Sequence, residues 1–372
     1  MNVSGMVDIS AHAGAPGSHG AQLQTRVGIL GATGYAGREL IAILARHPKV
    51  RIVTLMSSGR QGAEAFPIEK SHPVLKRPAL GAGGATVCEP LNLDDLTPSE
   101  LDVVFLATPH ETSHDVVPIL LARGLRVIDL SGAFRLKDGG SYMRWYGFEH
   151  RAADALEEAV YGSPELNTEA IRRARLVSNP GCYATSIILA LAPLLRSGWV
   201  DVEAGIVCDA KSGASGAGRA PSDKLHFVEV NENCRAYSVF SHRHVPEMLQ
   251  ALGLEEPCFT FTPHLLPITR GILSTIYLRL GLGSRIEAEA IHSLYEAFYA
   301  RAPLVRIYEK RTLPEIQAVA HTNYADLGFA LEAASGRLVI ASALDNLGKG
   351  AAGQAVENMN LMCGFPQEMA LG

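Results

Sequence analysis

A glycine-spaced turn set between an apolar run and an amphipathic stretch constrains this chain more than any other feature. The run RVGIL begins at Arg26, GATGYAG follows with glycines at 31, 34 and 37, and RELIAILARHP then places Leu40, Ile41, Ile43 and Leu44 on one helical face. Strand, glycine turn and helix in that order form the setting in which backbone amides and a helix N-terminus receive a pyrophosphate. Gly31, Thr33, Gly34, Tyr35 and Gly37 are the candidate contacts. The spacing is G-x-x-G-x-x-G and not the commoner G-x-G-x-x-G, so glycines that merely permit a tight turn are the competing reading.

The pattern continues as it would in a doubly wound fold. Apolar runs at Val50–Met56, 101–109 and 125–134, separated by helical stretches such as 114–123, predict a parallel sheet covered on both faces. After Pro180, strand candidates at 205–209, 258–263, 272–280 and 329–333 alternate less often with helices, which predicts a mainly antiparallel sheet with helices to one side. The fold class expected is therefore α/β: a Rossmann-type cofactor domain plus an α+β catalytic and oligomerisation domain. The boundaries expected are a disordered extension over 1–24, a cofactor domain over 25–180 rejoined by a C-terminal helix within 346–372, and a second domain over 181–345.

Bulk properties narrow the class of function. With 47% hydrophobic and 19% charged residues the chain can bury a sizeable interior, and 372 residues favour two domains. A net charge of -5 without a basic stripe argues against nucleic acid. The longest apolar stretch, near 186–195, falls short of the roughly 20 residues a bilayer requires, so no membrane is expected. Cysteines at 88, 182, 208, 234, 258 and 363 are scattered, without a C-x-x-C pair, and read as reduced thiols of a cytoplasmic protein.

In NAD-specific turns an acidic residue about 20 positions on holds the ribose 2′-hydroxyl. The second strand instead ends Met56-Ser57-Ser58-Gly59-Arg60. Ser57, Ser58 and Arg60 suit a 2′-phosphate, which favours NADPH, unless Arg60 is only a solvated loop residue.

Cys182 stands apart because SNPGCYATS leads directly into the apolar run IILALAPLL. Pro180 and Gly181 make a turn that puts the thiol at a helix N-terminus, where free amides favour a thiolate and stabilise an oxyanion on an attacked carbonyl. A nucleophile of this kind needs a group to manage protons, and AYSVFSHRHVPEM offers His242 and His244. Read as a strand, the segment points both imidazoles the same way, and the residues alone leave open which is the base. No metal is expected, since H-x-H lacks further clustered ligands.

Taken together, GATGYAG, GAFRL at 132–136, SNPGCYAT, KSGASGAGR at 211–219, HRHVPE and DNLGKG at 345–350 resemble the N-acetyl-γ-glutamyl-phosphate reductases, in order from about Arg26 to the C-terminus. The resemblance implies NADPH-dependent reduction of a small-molecule acyl phosphate to N-acetylglutamate semialdehyde, in arginine biosynthesis, by a homodimer or homotetramer. By match of motif it implies Cys182 as nucleophile, His242 as base, and Ser212, Gly213 and Asn346 beside the nicotinamide half of NADPH. It leaves Arg135, Arg243 and His244 as substrate contacts, with Lys211, Arg219 and Arg270 as further cations. The rival substrates are aspartyl phosphate and an N-acetyl-aminoadipyl phosphate, the HRHVPE segment favouring the acetylglutamyl branch. A dinucleotide-binding regulator without catalysis is the rival of another class, and the presence of both nucleophile and base speaks against it.

Overall fold

The computed structural model describes residues 24–58, 64–76, 84–281, 286–309 and 311–372. Fifteen strands form two sheets among these residues. The first sheet takes β1 (Thr25–Leu30), β2 (Val50–Met56), β3 (Phe66–Pro67), β4 (Val87–Glu89), β5 (Val103–Leu106), β6 (Arg126–Asp129), β7 (Val160–Tyr161) and β8 (Leu176–Ser178). Their order is β3-β4-β2-β1-β5-β6-β8-β7. Every pairing is parallel except β3 with β4. From β1 the chain moves to β2 on one side and returns to β5 on the other, so the crevice beyond the carboxyl end of β1 is the topological switch point where such sheets bind ligands.

Both faces of that sheet are covered. Val27 and Ile29 of β1 share a core with Leu40, Ile41 and Leu44 of helix Tyr35–Leu44, while Leu30, Val104 and Leu106 meet Val116, Val117 and Leu120 of helix His110–Ala122 on the other side. Helix Gly353–Met362 is buried along its whole length and adds Ala355, Val356, Met359 and Leu361 to the first of these cores. Each large apolar side chain so buried contributes about 1.5–3 kcal/mol. A π-helical turn, Gly348–Ala352, precedes this helix, so the expected single helix over 348–362 is two elements.

The second sheet takes β9 (Ile206–Gly213), β10 (Arg235–Ala236), β11 (Phe259–Leu266), β12 (Ile272–Arg279), β13 (Val305–Ile307), β14 (Ala325–Glu332) and β15 (Arg337–Leu344), in the order β10-β11-β9-β12-β15-β14-β13. Four pairings are antiparallel, and two, β9 with β11 and β13 with β14, are parallel. Alternation fixes the faces: along β9 Ile206, Cys208 and Ala210 are buried while Val207 is exposed. The buried side packs on helices Cys182–Ser197, Val245–Leu252 and Ala288–Phe298.

One local expectation fails. The HRH segment is a turn, not a strand: Phe240 has φ 57°, and His244 is helical at φ -86°, ψ -10°, directly ahead of helix Val245–Leu252. Pro246 sits in the first turn of that helix, where its fixed φ and missing N–H favour a helix start. Most of the extension expected over 1–24, together with Arg60, lies outside the described residues.

Candidate active site

The glycine turn leaves β1 at the switch point. Gly31 has φ 81°, and a Cβ there would sit 2.2 Å from the carbonyl oxygen of Ala107, so only glycine brings β1 and the end of β5 this close. Gly34 caps helix Tyr35–Leu44 in extended conformation without a side-chain cap, which leaves first-turn amides without a side-chain acceptor beside the partly exposed Thr33 and Tyr35. Gly37 is buried in the same helix. At the end of β2, Ser57 is buried with its amide on the Glu89 carbonyl at 2.9 Å, and Ser58 is exposed. Arg219 reaches across from the loop after β9 and donates to the Thr33 carbonyl at 2.8 Å. A turn with free amides and a Cβ-forbidden approach fits a dinucleotide pyrophosphate.

Ser212 is buried at the end of β9, and the Gly213 amide donates to the Gly271 carbonyl at 2.9 Å. Asn346 accepts from the Gly271 amide at 2.7 Å and donates to Ser215 Oγ at 2.9 Å, so these parts of KSGASGAGR and DNLGKG form one surface. The segment around Gly350 reaches Cys182: a Cβ on Gly350 would lie 2.8 Å from Cys182 Cβ.

Cys182 is the first residue of helix Cys182–Ser197, behind the extended Gly181. Helix residues Tyr183 to Leu194 are buried without a break, and Ser186 Oγ anchors the helix to Ser274 Oγ of β12 at 2.8 Å and Ser342 Oγ of β15 at 3.0 Å. Cys182 thus stands on a rigid element, not on a loop. Burial pushes the Cys182 thiol up to about 11, the Tyr183 amide and the Arg135 and Arg243 guanidinium groups draw it down, and the Glu247 carboxylate adds to the rise. The helix terminus by itself does not deliver a standing thiolate.

His242 sits in an aromatic slot, its ring 5.7 Å from Tyr183, 5.7 Å from Tyr237, 5.3 Å from Phe261 and 4.7 Å from His244, centroid to centroid. Its Nδ1 accepts from the His244 amide at 3.1 Å, which leaves the proton of the neutral ring on Nε2. Burial and the two arginines push it down to about 4. His244 is buried behind the cysteine turn and also held neutral by burial; a Cβ on Gly181 would fall 2.4 Å from its Nε2, and its Nδ1 has no protein partner.

The candidate cations differ in their partners. Arg135 is 6% exposed, and its Nε, Nη1 and Nη2 donate to Asn179 O at 2.8 Å, Glu247 Oε1 at 3.0 Å and Leu130 O at 2.9 Å. Three of its five guanidinium donors are thus engaged within the protein. Arg270 is bound to Glu39 at 2.5 Å and Asp345 at 3.1 Å, and Lys211 to Asp209 at 2.7 Å. Arg243 is exposed and forms no ion pair among the described residues, yet its charge acts on Cys182, His242 and Tyr237. The sequence did not single out Glu247, Tyr161, Asn179 or Gly350, although HRHVPE, SNPGC and DNLGKG contain three of them. Among the described residues no three His, Cys, Asp or Glu side chains are placed to hold a metal, and no helix is long and apolar enough to cross a membrane.

Residues 26–174 match the family described as semialdehyde dehydrogenase, NAD binding domain, and residues 182–346 the semialdehyde dehydrogenase, dimerisation domain. The chain is 46% identical over 352 residues to an N-acetyl-gamma-glutamyl-phosphate reductase of Pelotomaculum thermopropionicum, covering 94% of this chain and 98% of that one. It is also 46% identical over 352 residues to the reductase of the same name from Methanopyrus kandleri, covering 93% and 97%. Among solved structures, a probable aspartate-semialdehyde dehydrogenase of Pseudomonas aeruginosa superposes with a TM-score of 0.66 at 20% identity, over 91% of this chain and 98% of that one. Aspartate semialdehyde dehydrogenase with NADP from Candida albicans gives 0.63 at 15% identity, over 91% and 98%. At such identities these two establish the fold alone.

Proposed function

This chain belongs to the N-acetyl-gamma-glutamyl-phosphate reductases within the semialdehyde dehydrogenase family, and from that premise we propose how its residues carry the reaction. The activity is reduction of N-acetyl-γ-glutamyl phosphate to N-acetylglutamate 5-semialdehyde and phosphate, a step of arginine biosynthesis. The observation that carries the assignment of roles is the convergence of Cys182, His242, Gly350 and the exposed Arg243 around the N-terminus of one buried helix.

Cys182 Sγ attacks the acyl carbon, forms the C–S bond and expels phosphate, leaving an acyl thioester on the enzyme. The substrate approaches a thiol that burial holds neutral, so Arg243 serves twice, drawing the acyl phosphate in and favouring the thiolate once the substrate is seated. The free amides of the first helical turn face the carbonyl oxygen as charge develops on it. NADPH, when bound, supplies the hydride that takes the thioester to the aldehyde oxidation level. His242 Nε2–H hydrogen-bonds to the oxyanion that hydride transfer leaves on the tetrahedral thiohemiacetal and stabilises it until the C–S bond breaks, releasing the aldehyde and the Cys182 thiolate.

Gly31, Thr33, Gly34, Tyr35 and Gly37 would hold the pyrophosphate, Ser57, Ser58 and Arg60 the 2′-phosphate, and Ser212, Gly213 and Asn346 the nicotinamide side. His244 is assigned to the substrate through its unpartnered Nδ1, and Arg135 to the support of the cysteine turn. The same reading assigns 25–180, completed by 346–372, to the cofactor unit and 181–345 to the catalytic and oligomerisation unit, with 1–24 outside both. The enzyme acts in the cytoplasm as a homodimer or homotetramer. The exposed pair Val207 and Tyr277, cross-strand neighbours on the sheet face turned away from the helices, supports self-association, and sedimentation equilibrium distinguishes the two states from a monomer.

Run backward, the reaction gives a direct test. N-acetylglutamate semialdehyde, phosphate and NADP should yield NADPH absorbance with the wild type and none with Cys182→Ser, and none without phosphate. Signal with aspartate semialdehyde or the aminoadipate homologue instead would overturn the substrate and keep the mechanism.

A further inference from the structure

A carboxylate buried beside a nucleophilic cysteine is an unexpected neighbour, because its charge opposes formation of the thiolate. Glu247, in the first turn of helix Val245–Leu252, is fully buried and stands in that position. Its Oε2 accepts from the Gly181 amide at 3.1 Å and from the Tyr161 hydroxyl at 2.7 Å, and its Oε1 accepts from Arg135 Nη1 at 3.0 Å. His244 Nε2 lies 3.9 Å from Oε1. One side chain therefore ties together the residue that caps the Cys182 helix, the end of β7 and the loop after β6.

The geometry points to Glu247 as the positioning residue of this active site: with Arg135 it forms a buried ion pair that fixes the Gly181–Cys182 turn, and it touches no reacting atom. This role presupposes Cys182 as the nucleophile. The turn needs such a holder. Gly181 has extended backbone and its helix has no side-chain cap, so without Glu247 the Gly181 N–H would be a buried donor lacking its acceptor. Arg135 completes the hold from the other side by donating to the carbonyl of Asn179, two residues before Gly181, and the Asn179 side chain bonds Ala351 O at 3.1 Å and Asn358 at 3.0 Å. The turn is thereby fixed to both units of the chain. Arg135 also supplies the positive charge that offsets the Glu247 carboxylate at the thiol; Asp129, Tyr146, Tyr161 and His244 are further titratable groups facing the pair.

Two variants separate this role from general structural support. Glu247→Gln removes the negative charge and leaves Arg135 unbalanced, so the midpoint of Cys182 alkylation by iodoacetamide should move to lower pH by about one unit. Reductive turnover should fall on the order of 100-fold at little-changed KM, as misplacement of a reacting group predicts. Glu247→Asp keeps the charge but withdraws it by one methylene, so its alkylation midpoint should stay at the wild-type value while turnover drops. NADPH binding by fluorescence serves as the folding control for both. A Glu247→Gln enzyme with wild-type turnover and an unmoved alkylation midpoint would overturn the proposal, as would a Glu247→Asp enzyme of full activity. Alkylation is read without turnover, so a wild type that alkylates at Cys182 yet reduces no acyl phosphate would indict the functional reading and not the role of Glu247.

Discussion

Lys349 offers a perturbation whose size follows from burial and charge. Its ammonium is fully buried, 2.5 Å from Glu165 and 2.5 Å from Glu357, whose side chains are equally inaccessible. Two carboxylates share one cation, and burial pushes the Glu357 carboxyl up from 4.5 to about 7, while the two carboxylates raise Lys349. Lys349→Met removes the cation and keeps comparable volume. The orphaned carboxylates then escape the cost of unpaired buried charge chiefly by binding a proton. Binding one proton to a group of pKa 4.5 costs about 5 kcal/mol at pH 8, at 1.36 kcal/mol per unit, whereas at pH 6 Glu357, pushed up to about 7, already carries a proton in the wild type. The figure at pH 8 agrees with the 3–5 kcal/mol typical of breaking a buried pair by removing one partner. Urea midpoints read through tryptophan fluorescence should therefore show a loss at pH 8 roughly twice that at pH 6 or more. Glu165→Gln and Glu357→Gln added to Lys349→Met should recover most of it. Equal losses at the two pH values, or a loss under about 1 kcal/mol at pH 8, would refute the view that this triad is a desolvated charge cluster.

Three further outcomes follow from the site and its frame. In the absence of substrate the alkylation rate of Cys182 should keep rising well above pH 8.5, because burial pushes the thiol up to about 11; a plateau near neutrality would contradict this. His242 has a folded pKa of about 4 against 6.5 unfolded, so the unfolded chain binds more protons between those values, and the stability contributed by its neutral burial is present above 6.5 and lost as pH falls through 4. Thermal midpoints of wild type and His242→Asn should converge as pH falls across that window, and parallel curves would count against it. Gly31→Ala must place a Cβ against the Ala107 carbonyl at positive φ, so NADPH affinity by fluorescence titration should weaken at least about tenfold and stability fall by more than the 1–2 kcal/mol of a left-handed residue.

What the sequence made legible was local. The glycine turn and the Cys182 helix each depend on a few adjacent residues, and both stand in the structure at the places their patterns indicate. His242 and His244 were misread as strand because H-x-H mimics a period of two, whereas Pro246 and the apolar spacing of Val245, Met248 and Leu249 start a helix there. The partners of Arg135 were not legible, because nothing in GAFRL discloses that they are Asn179, Leu130 and Glu247, the last 112 residues away. Glu247 was invisible for the same reason, since a buried carboxylate looks like a surface one until its donors are known. β15 was not read as a strand, although it pairs along its full length with both β12 and β14.

The buried helix Gly353–Met362 has a consequence for how the protein comes into being. The apolar face formed by Val27, Ile29 and helix Tyr35–Leu44 is covered by residues near the far end of the chain, and Leu371 and Phe365 seal the same core. During synthesis at about 5–20 residues per second, that face waits uncovered for roughly ten to thirty-five seconds after β8 has left the ribosome. The nucleotide-binding half therefore cannot complete its folding as it emerges, and a chain terminated shortly before Gly353 should be a client of chaperones and proteases and not a smaller enzyme.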